Sequence, residues 1–132
     1  MGETMKNTHI IFDKLNQLDY STVEYKLKSE KFSEKEISKM KKECLRFLSL
    51  CAEKKIALSP SYMVDMYWHQ LILCTKIYEE VGKICGKFIH HIPNNGNKIQ
   101  RKKDSEAFWK TIESYEESYG EPNLKIWGIE RR

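Results

Sequence analysis

The chain has 132 residues, of which 40% are hydrophobic and 32% are charged, as is usual for one soluble globular domain. Its formal net charge of +4 is mildly basic and lacks the strong bias of a dedicated nucleic-acid-binding domain. The uncharged run from Met66 to Thr75 is too short to cross a bilayer. We therefore expect a single domain that spans residues 1–132 and does not associate with membranes.

The amino terminus and the cysteines both favour a cytoplasmic location. The first residues lack the long apolar stretch and the small-residue cleavage site of a secretory signal. The four cysteines form no CxxC pair, so their spacing does not indicate a zinc knuckle or a redox motif. We expect a cytoplasmic protein whose cysteines are buried, reduced thiols. These are Cys44, Cys51, Cys74 and Cys85.

Two short elements are predicted before residue 31. Residues 8–18 carry leucine and isoleucine at helical spacing. In residues 21–30, Ser21 and Glu24 have the spacing of a helix-capping box. Apolar residues in the same stretch also alternate, so helix and strand both remain open there.

The segment FSEKEISKM begins the first long helix. Ser33 and Glu36 have the spacing of a capping box, and apolar residues then recur every three or four positions to about residue 55. The side chains expected to face water are those of Lys35, Lys39, Lys42 and Glu43. The apolar stripe consists of Ile37, Met40, Cys44, Phe47, Leu48 and Cys51.

A second long helix is predicted to begin within LSPSYMVD. Ser59 or Ser61 can cap its beginning, and Gly86 follows its expected end at Cys85. Because apolar residues surround most of its circumference, it is expected to be a buried central helix, with Trp68 in the core.

A third long helix is predicted from Asp104 or Ser105 to Tyr119, after a polar loop at residues 93–103. The tail, residues 121–132, contains a tryptophan that indicates packing back onto the other helices. Together these elements predict an all-α fold, a compact helical bundle with a buried central helix.

Four residues form the candidate site. Asp65 and His69 lie one helical turn apart, and FIHHIP adds His90 and His91. A carboxylate beside an imidazole can bind a divalent metal, orient a general base or make a structural hydrogen bond. A metal site would need one of His90 or His91 to complete a two-histidine, one-carboxylate set. A purely structural Asp65–His69 pair is the alternative.

A run of basic residues lies between His91 and the predicted third long helix. It consists of Lys98, Arg101, Lys102 and Lys103. The default interpretation is a solvated loop, and the functional one is a contact with an acidic protein surface or with nucleic acid.

The motifs PSYMVDMYWHQLILCTKIY and FIHHIP resemble the glycine-rich domain-containing protein-like family, a group of mostly uncharacterised helical proteins. The resemblance covers about residues 15–120. The family pattern has a second histidine where this chain has Leu71, and an acidic loop where this chain has NNGNKIQRKK. The resemblance implies a helical fold and no particular reaction.

The sequence contains no GxSxG motif, P-loop or dinucleotide-binding fingerprint. We expect a small cytoplasmic binding domain with a site at Asp65, His69 and one of the paired histidines, with a weakly bound divalent metal as one form of that site. The rival hypothesis is an interaction module that binds through the basic run at 98–103. A metal-dependent enzyme is a third and weaker hypothesis.

Overall fold

A computed structural model of the chain describes residues 7–91 and 97–130. The regular structure of these residues consists of α-helices without any strand, which confirms the predicted all-α bundle. In chain order the helices are α1 (Asn7–Leu15), α2 (Ser21–Ser29), α3 (Glu34–Glu53), α4 (Tyr62–Leu73), α5 (Thr75–Cys85), α6 (Lys98–Tyr119) and α7 (Leu124–Trp127).

The most central of the described helices is α3, which contacts every other one of them. Its inward face carries Met40, Phe47 and Leu48, all of which are completely buried. The predicted capping box at its beginning is confirmed: Ser33 Oγ accepts the Glu36 amide at 3.1 Å, and Glu36 Oε1 accepts the Ser33 amide at 2.9 Å. A strong local start signal and a continuous apolar stripe thus make α3 the helix around which the others pack.

The predicted second helix is in fact two helices, α4 and α5, that meet at Cys74. The backbone of Cys74 has φ −89° and ψ 76°, which is not helical, and its amide donates to Leu71 only three residues back. The break allows Trp68 Nε1 to donate to Tyr78 Oη at 3.1 Å. In an unbroken helix these residues would be about 15 Å apart along the axis, so this contact requires the break.

The predicted cap of α4 is present, whereas the predicted cap of α2 is not. Ser61 caps α4: its Oγ accepts the Val64 amide at 3.2 Å and donates to the Ile126 carbonyl at 2.8 Å. The predicted capping box of Ser21 and Glu24 is wrong, because α2 has Tyr20 at the cap position and no side-chain cap. Residues 21–30 are nevertheless helical to Ser29, so the strand alternative is also wrong.

The helix α6 begins at Lys98, six residues before the earlier of the two predicted starts. Asn97 explains this, since its side chain accepts the amides of Ile99 at 2.8 Å and Gln100 at 3.3 Å. The basic run therefore belongs to a helix and not to a loop. Residues 92–96, including Pro93 of the histidine motif, lie outside the described residues.

A buried polar cluster joins α3, α6 and α7. Glu43, expected to face water, is only 3% exposed. Its Oε1 accepts hydrogen bonds from Tyr115 Oη at 2.6 Å and Trp127 Nε1 at 3.0 Å, and its Oε2 lies 3.6 Å from Arg46 Nη1. Trp127 is itself 1% exposed, which confirms that the tail packs back onto the bundle.

All four cysteines are free, as predicted, although only Cys44 and Cys85 are buried while Cys51 and Cys74 are partly exposed. Burial raises the pKa of Cys85 to about 11 and that of Cys51 to about 12, so these thiols stay protonated and unreactive at neutral pH. None of the helices in residues 7–91 and 97–130 combines the length and the apolar character needed to span a bilayer.

Candidate functional site

A cleft of about 960 Å³ lies beside the start of α4. Its walls are the connection from α3 to α4 (residues 54–61), the first turn of α4, the segment 87–91 that follows α5, and the first turns of α6. Three separate stretches of sequence therefore supply its lining. Asp65, His90 and His91 of the predicted site are all among the lining residues.

Asp65 and His91 form a direct pair in the wall of this cleft. His91 Nε2 lies 2.6 Å from Asp65 Oδ1, which is a short hydrogen bond. The side chain of His91 is 19% exposed and that of Asp65 is 41% exposed, so the pair is partly accessible from the cleft. The His91 ring also meets the Trp68 ring edge to face, with the centroids 4.7 Å apart.

A chain of hydrogen bonds holds the segment that carries His91. Gly86 ends α5 in the left-handed conformation, with φ 79°, which turns the chain back toward α4. Tyr78 Oη then donates to the Ile89 carbonyl and accepts from Trp68 Nε1. Because Ile89 is fixed in this way, His91 is placed two residues further on, next to Asp65.

The structure does not join the other two predicted histidines to this pair. His69 is exposed, with its ring centroid 6.3 Å from that of His91. The expected Asp65–His69 pair is wrong, because the carboxylate of Asp65 bonds to His91 in the neighbouring segment. His90 is exposed and contacts the Phe88 ring at a centroid distance of 4.7 Å.

Three ligands for a metal do not come together in the described residues. Within 7–91 and 97–130 there is no group of three or more His, Cys, Asp or Glu that could hold a metal ion. The Asp65 and His91 atoms, 2.6 Å apart, bond to each other in this structure.

The model of the UCP032817-like family matches residues 12–117. The chain belongs to this family. The matched residues include Asp65, His91 and the whole lining of the cleft. No curated protein and no solved structure gives a significant match.

The resemblance to the glycine-rich domain-containing protein-like family is therefore wrong. That resemblance was based on motifs spread over about residues 15–120, whereas the family model that matches the chain, over residues 12–117, is that of the UCP032817-like family. The family is uncharacterised, so membership assigns no reaction and no ligand.

The cleft of this UCP032817-like chain has a basic rim. Four lysines line it, against two aspartates, one of which is already bonded to His91. The lysines are Lys54, Lys55, Lys87 and Lys103, and the aspartates are Asp65 and Asp104. Of the predicted basic run, only Lys103 is among the lining residues, while Lys98, Arg101 and Lys102 are exposed on α6.

Exposed apolar side chains share the same rim. Tyr62 is 77% exposed, Phe88 is 57% exposed and Ile56 is 49% exposed, although all three line the cleft. The sequence did not single out these residues or the first three lysines, because they come from segments that meet only in the folded chain. The cleft therefore combines a hydrogen-bonded polar pair, excess positive charge and accessible apolar surface.

Proposed function

We propose that this UCP032817-like protein is a small cytoplasmic binding domain whose ligand site is the cleft beside α4. The observation that supports the proposal most directly is the Asp65–His91 hydrogen bond of 2.6 Å in the cleft wall. The cleft volume of about 960 Å³ lies within the range of known ligand sites, about 300–1,000 Å³.

The Asp65–His91 pair orients the ligand in this proposal. A carboxylate that is 41% exposed retains room to accept a second hydrogen bond, and the imidazole has a second ring nitrogen. The hydrogen bond between the two side chains fixes their positions before a ligand arrives, which lowers the entropic cost of binding. The pair thus offers a fixed polar contact beside the lysine side chains of the rim.

A screen of small-molecule fragments by nitrogen-15 NMR tests this function. We expect the fragments that bind to shift the amide signals of the cleft residues, and Asp65→Asn or His91→Ala to weaken their binding about tenfold, the equivalent of one hydrogen bond to a charged group. His69→Ala is the matched control, because His69 is exposed on α4 and bonded to neither partner. It should change binding less than twofold.

Shifts that cluster away from the cleft, or equal effects of His69→Ala and His91→Ala, would refute the proposal. So would the absence of any binding fragment. Thermal unfolding of each variant shows whether it is folded, and a His91→Gln variant, which keeps a polar side chain, replaces His91→Ala if the latter does not fold.

Zinc titration separates a metal-binding form of this site from a metal-free one. Because the described residues bring only Asp65 and His91 together, we expect protein purified without a histidine tag to bind zinc weakly at most, and to lose it on dialysis against EDTA. Metal analysis after dialysis measures this. Stoichiometric zinc that survives the chelator, and that His91→Ala removes, would contradict the expectation.

A further inference from the structure

We infer that the ligand of the cleft is an acidic, extended peptide segment of a partner protein. The inference rests on the proposed function, since it names the ligand class for the same cleft. It follows from three separate features of the lining: its charge, its unpaired backbone and its exposed apolar side chains.

The charge of the lining favours an acidic ligand. Lys55 and Lys103 are exposed and make no ion pair in the described part of the chain. Lys54 is 3.4 Å from Glu117, and Lys87 donates to the Lys54 carbonyl at 3.4 Å, so these two are partly engaged. Two cations at the rim of one cleft attract a ligand that carries carboxylates.

The backbone of the connection between α3 and α4 favours a peptide. In the described structure, Lys55, Ile56, Ala57 and Leu58 make no backbone hydrogen bond. The residues on either side do: the Lys54 amide donates to Leu50, and the Ser59 amide donates to Thr111 Oγ1 at 2.8 Å. The free donors and acceptors between them can pair with the backbone of an extended peptide, as the edge of a sheet does.

The apolar rim predicts the remaining side chains of the peptide. Ile56, Tyr62 and Phe88 are about half exposed or more, and each lines the cleft. Apolar side chains placed between the carboxylates of a peptide would bury this surface at about 25 cal/mol for each Å² removed from water. The fitting partner is therefore a short stretch in which acidic residues and aromatic or aliphatic residues are mixed.

A nucleic acid fits the same cleft less well. The described residues that line it include no arginine, although the planar guanidinium of arginine is well suited to bidentate contact with phosphates. The lining also contains Asp65 and Asp104, which would repel a continuous phosphate backbone. A peptide can place its carboxylates at the lysines only and can donate its amides to the aspartates.

A random octapeptide display library, panned against the full chain, tests the inference. We expect the enriched peptides to carry net negative charge together with aromatic or aliphatic residues. Fluorescein-labelled synthetic copies of these peptides are then titrated with protein and followed by fluorescence anisotropy. We expect their affinity for the double variant Lys55→Glu, Lys103→Glu to be at least tenfold lower than their affinity for the parent protein. The double variant Lys39→Glu, Lys42→Glu is the matched control, because it makes the same charge change on exposed residues of α3 outside the cleft. It should change affinity less than twofold.

Enrichment of neutral or basic peptides, no enrichment, or equal losses in the two double variants would overturn the inference. The inference would also be overturned if a labelled oligothymidine of twelve nucleotides bound more tightly than every enriched peptide. If neutral peptides bind and Asp65→Asn weakens them, the proposed function stands while the acidic ligand does not. If the double variant Lys55→Glu, Lys103→Glu does not fold, the double variant Lys55→Gln, Lys103→Gln replaces it. The expected loss of peptide affinity is then smaller, because the charges are removed and not reversed.

Discussion

Replacing Glu43 by alanine is expected to lower the free energy of unfolding by about 3–5 kcal/mol, the usual cost of breaking a buried ion pair from one side. Glu43 accepts hydrogen bonds from Tyr115 and Trp127 in the core, and it lies 3.6 Å from the partly buried Arg46. Its removal would leave the partly buried guanidinium of Arg46 without its carboxylate. Two buried donors, the Tyr115 hydroxyl and the Trp127 indole N–H, would also lose their acceptor.

The protonation of Tyr115 supports this arrangement. Burial raises the pKa of Tyr115 well above its ordinary value, and the hydrogen bond to Glu43 raises it further. The hydroxyl therefore stays protonated at neutral pH and donates to the carboxylate. The charged carboxylate of Glu43 therefore lies between two neutral donors, Tyr115 and Trp127, and the cationic side chain of Arg46.

Urea denaturation measures the loss, with two comparison variants. Glu43→Gln keeps an acceptor for the two donors but not the charge, so it should cost less than Glu43→Ala. Lys42→Ala changes the neighbouring exposed residue of the same helix and should stay within about 0.5 kcal/mol of the parent protein. A Glu43→Ala loss below about 1 kcal/mol would mean that the cluster is weaker than its geometry indicates.

Local signals were enough to predict α3. Its capping box involves residues three positions apart, and its apolar stripe repeats with the helical period, so no distant contact is needed to specify it. The break at Cys74 has no such signal, because no glycine or proline lies nearby. The break accompanies a contact between Trp68 and Tyr78 that exists only in the folded protein.

The burial of Glu43 is a second feature that local sequence signals could not predict. Charged residues are rarely buried unless they are paired, so a glutamate beside an apolar stripe is expected to face water. Its partners Tyr115 and Trp127 lie 72 and 84 residues further along the chain. A pattern read within one helix contains no information about residues so far away.

The pairing within the candidate site differs from the one that helical spacing predicted. Asp65 and His91 were both among the candidates, yet helical spacing favoured His69 as the partner of Asp65. That spacing places two side chains on one face without requiring a bond between them. The actual partner is 26 residues away and is positioned by the turn at Gly86 and the bond from Tyr78 to Ile89.

Trp68 belongs both to the core and to the lining of the cleft. Its ring packs against Phe47 at a centroid distance of 5.2 Å, its indole N–H donates to Tyr78, and its edge contact supports His91. A change that weakens the core at this position should therefore also disturb the cleft. This coupling makes Trp68 the most informative position for a test of both.

Trp68→Ala is expected to destabilise the protein by about 3–5 kcal/mol, because Trp68 is only 4% exposed and its removal leaves a cavity beside Phe47. Trp68→Phe retains most of the packing and loses the donor to Tyr78, so it should cost about 1–3 kcal/mol. In both variants the amide of His91 should exchange faster with solvent, since the segment 87–91 loses part of its support.

Trp109→Ala is the matched control for this test, because Trp109 is 55% exposed on α6, and it should cost less than about 1 kcal/mol. Urea denaturation gives the stabilities, and hydrogen exchange by NMR gives the local effect at His91. A small loss for Trp68→Ala would place the tryptophan at the surface and refute the packing of α4 against α3. A large loss without faster exchange at His91 would mean that Gly86 and Tyr78 hold the segment 87–91 without help from Trp68.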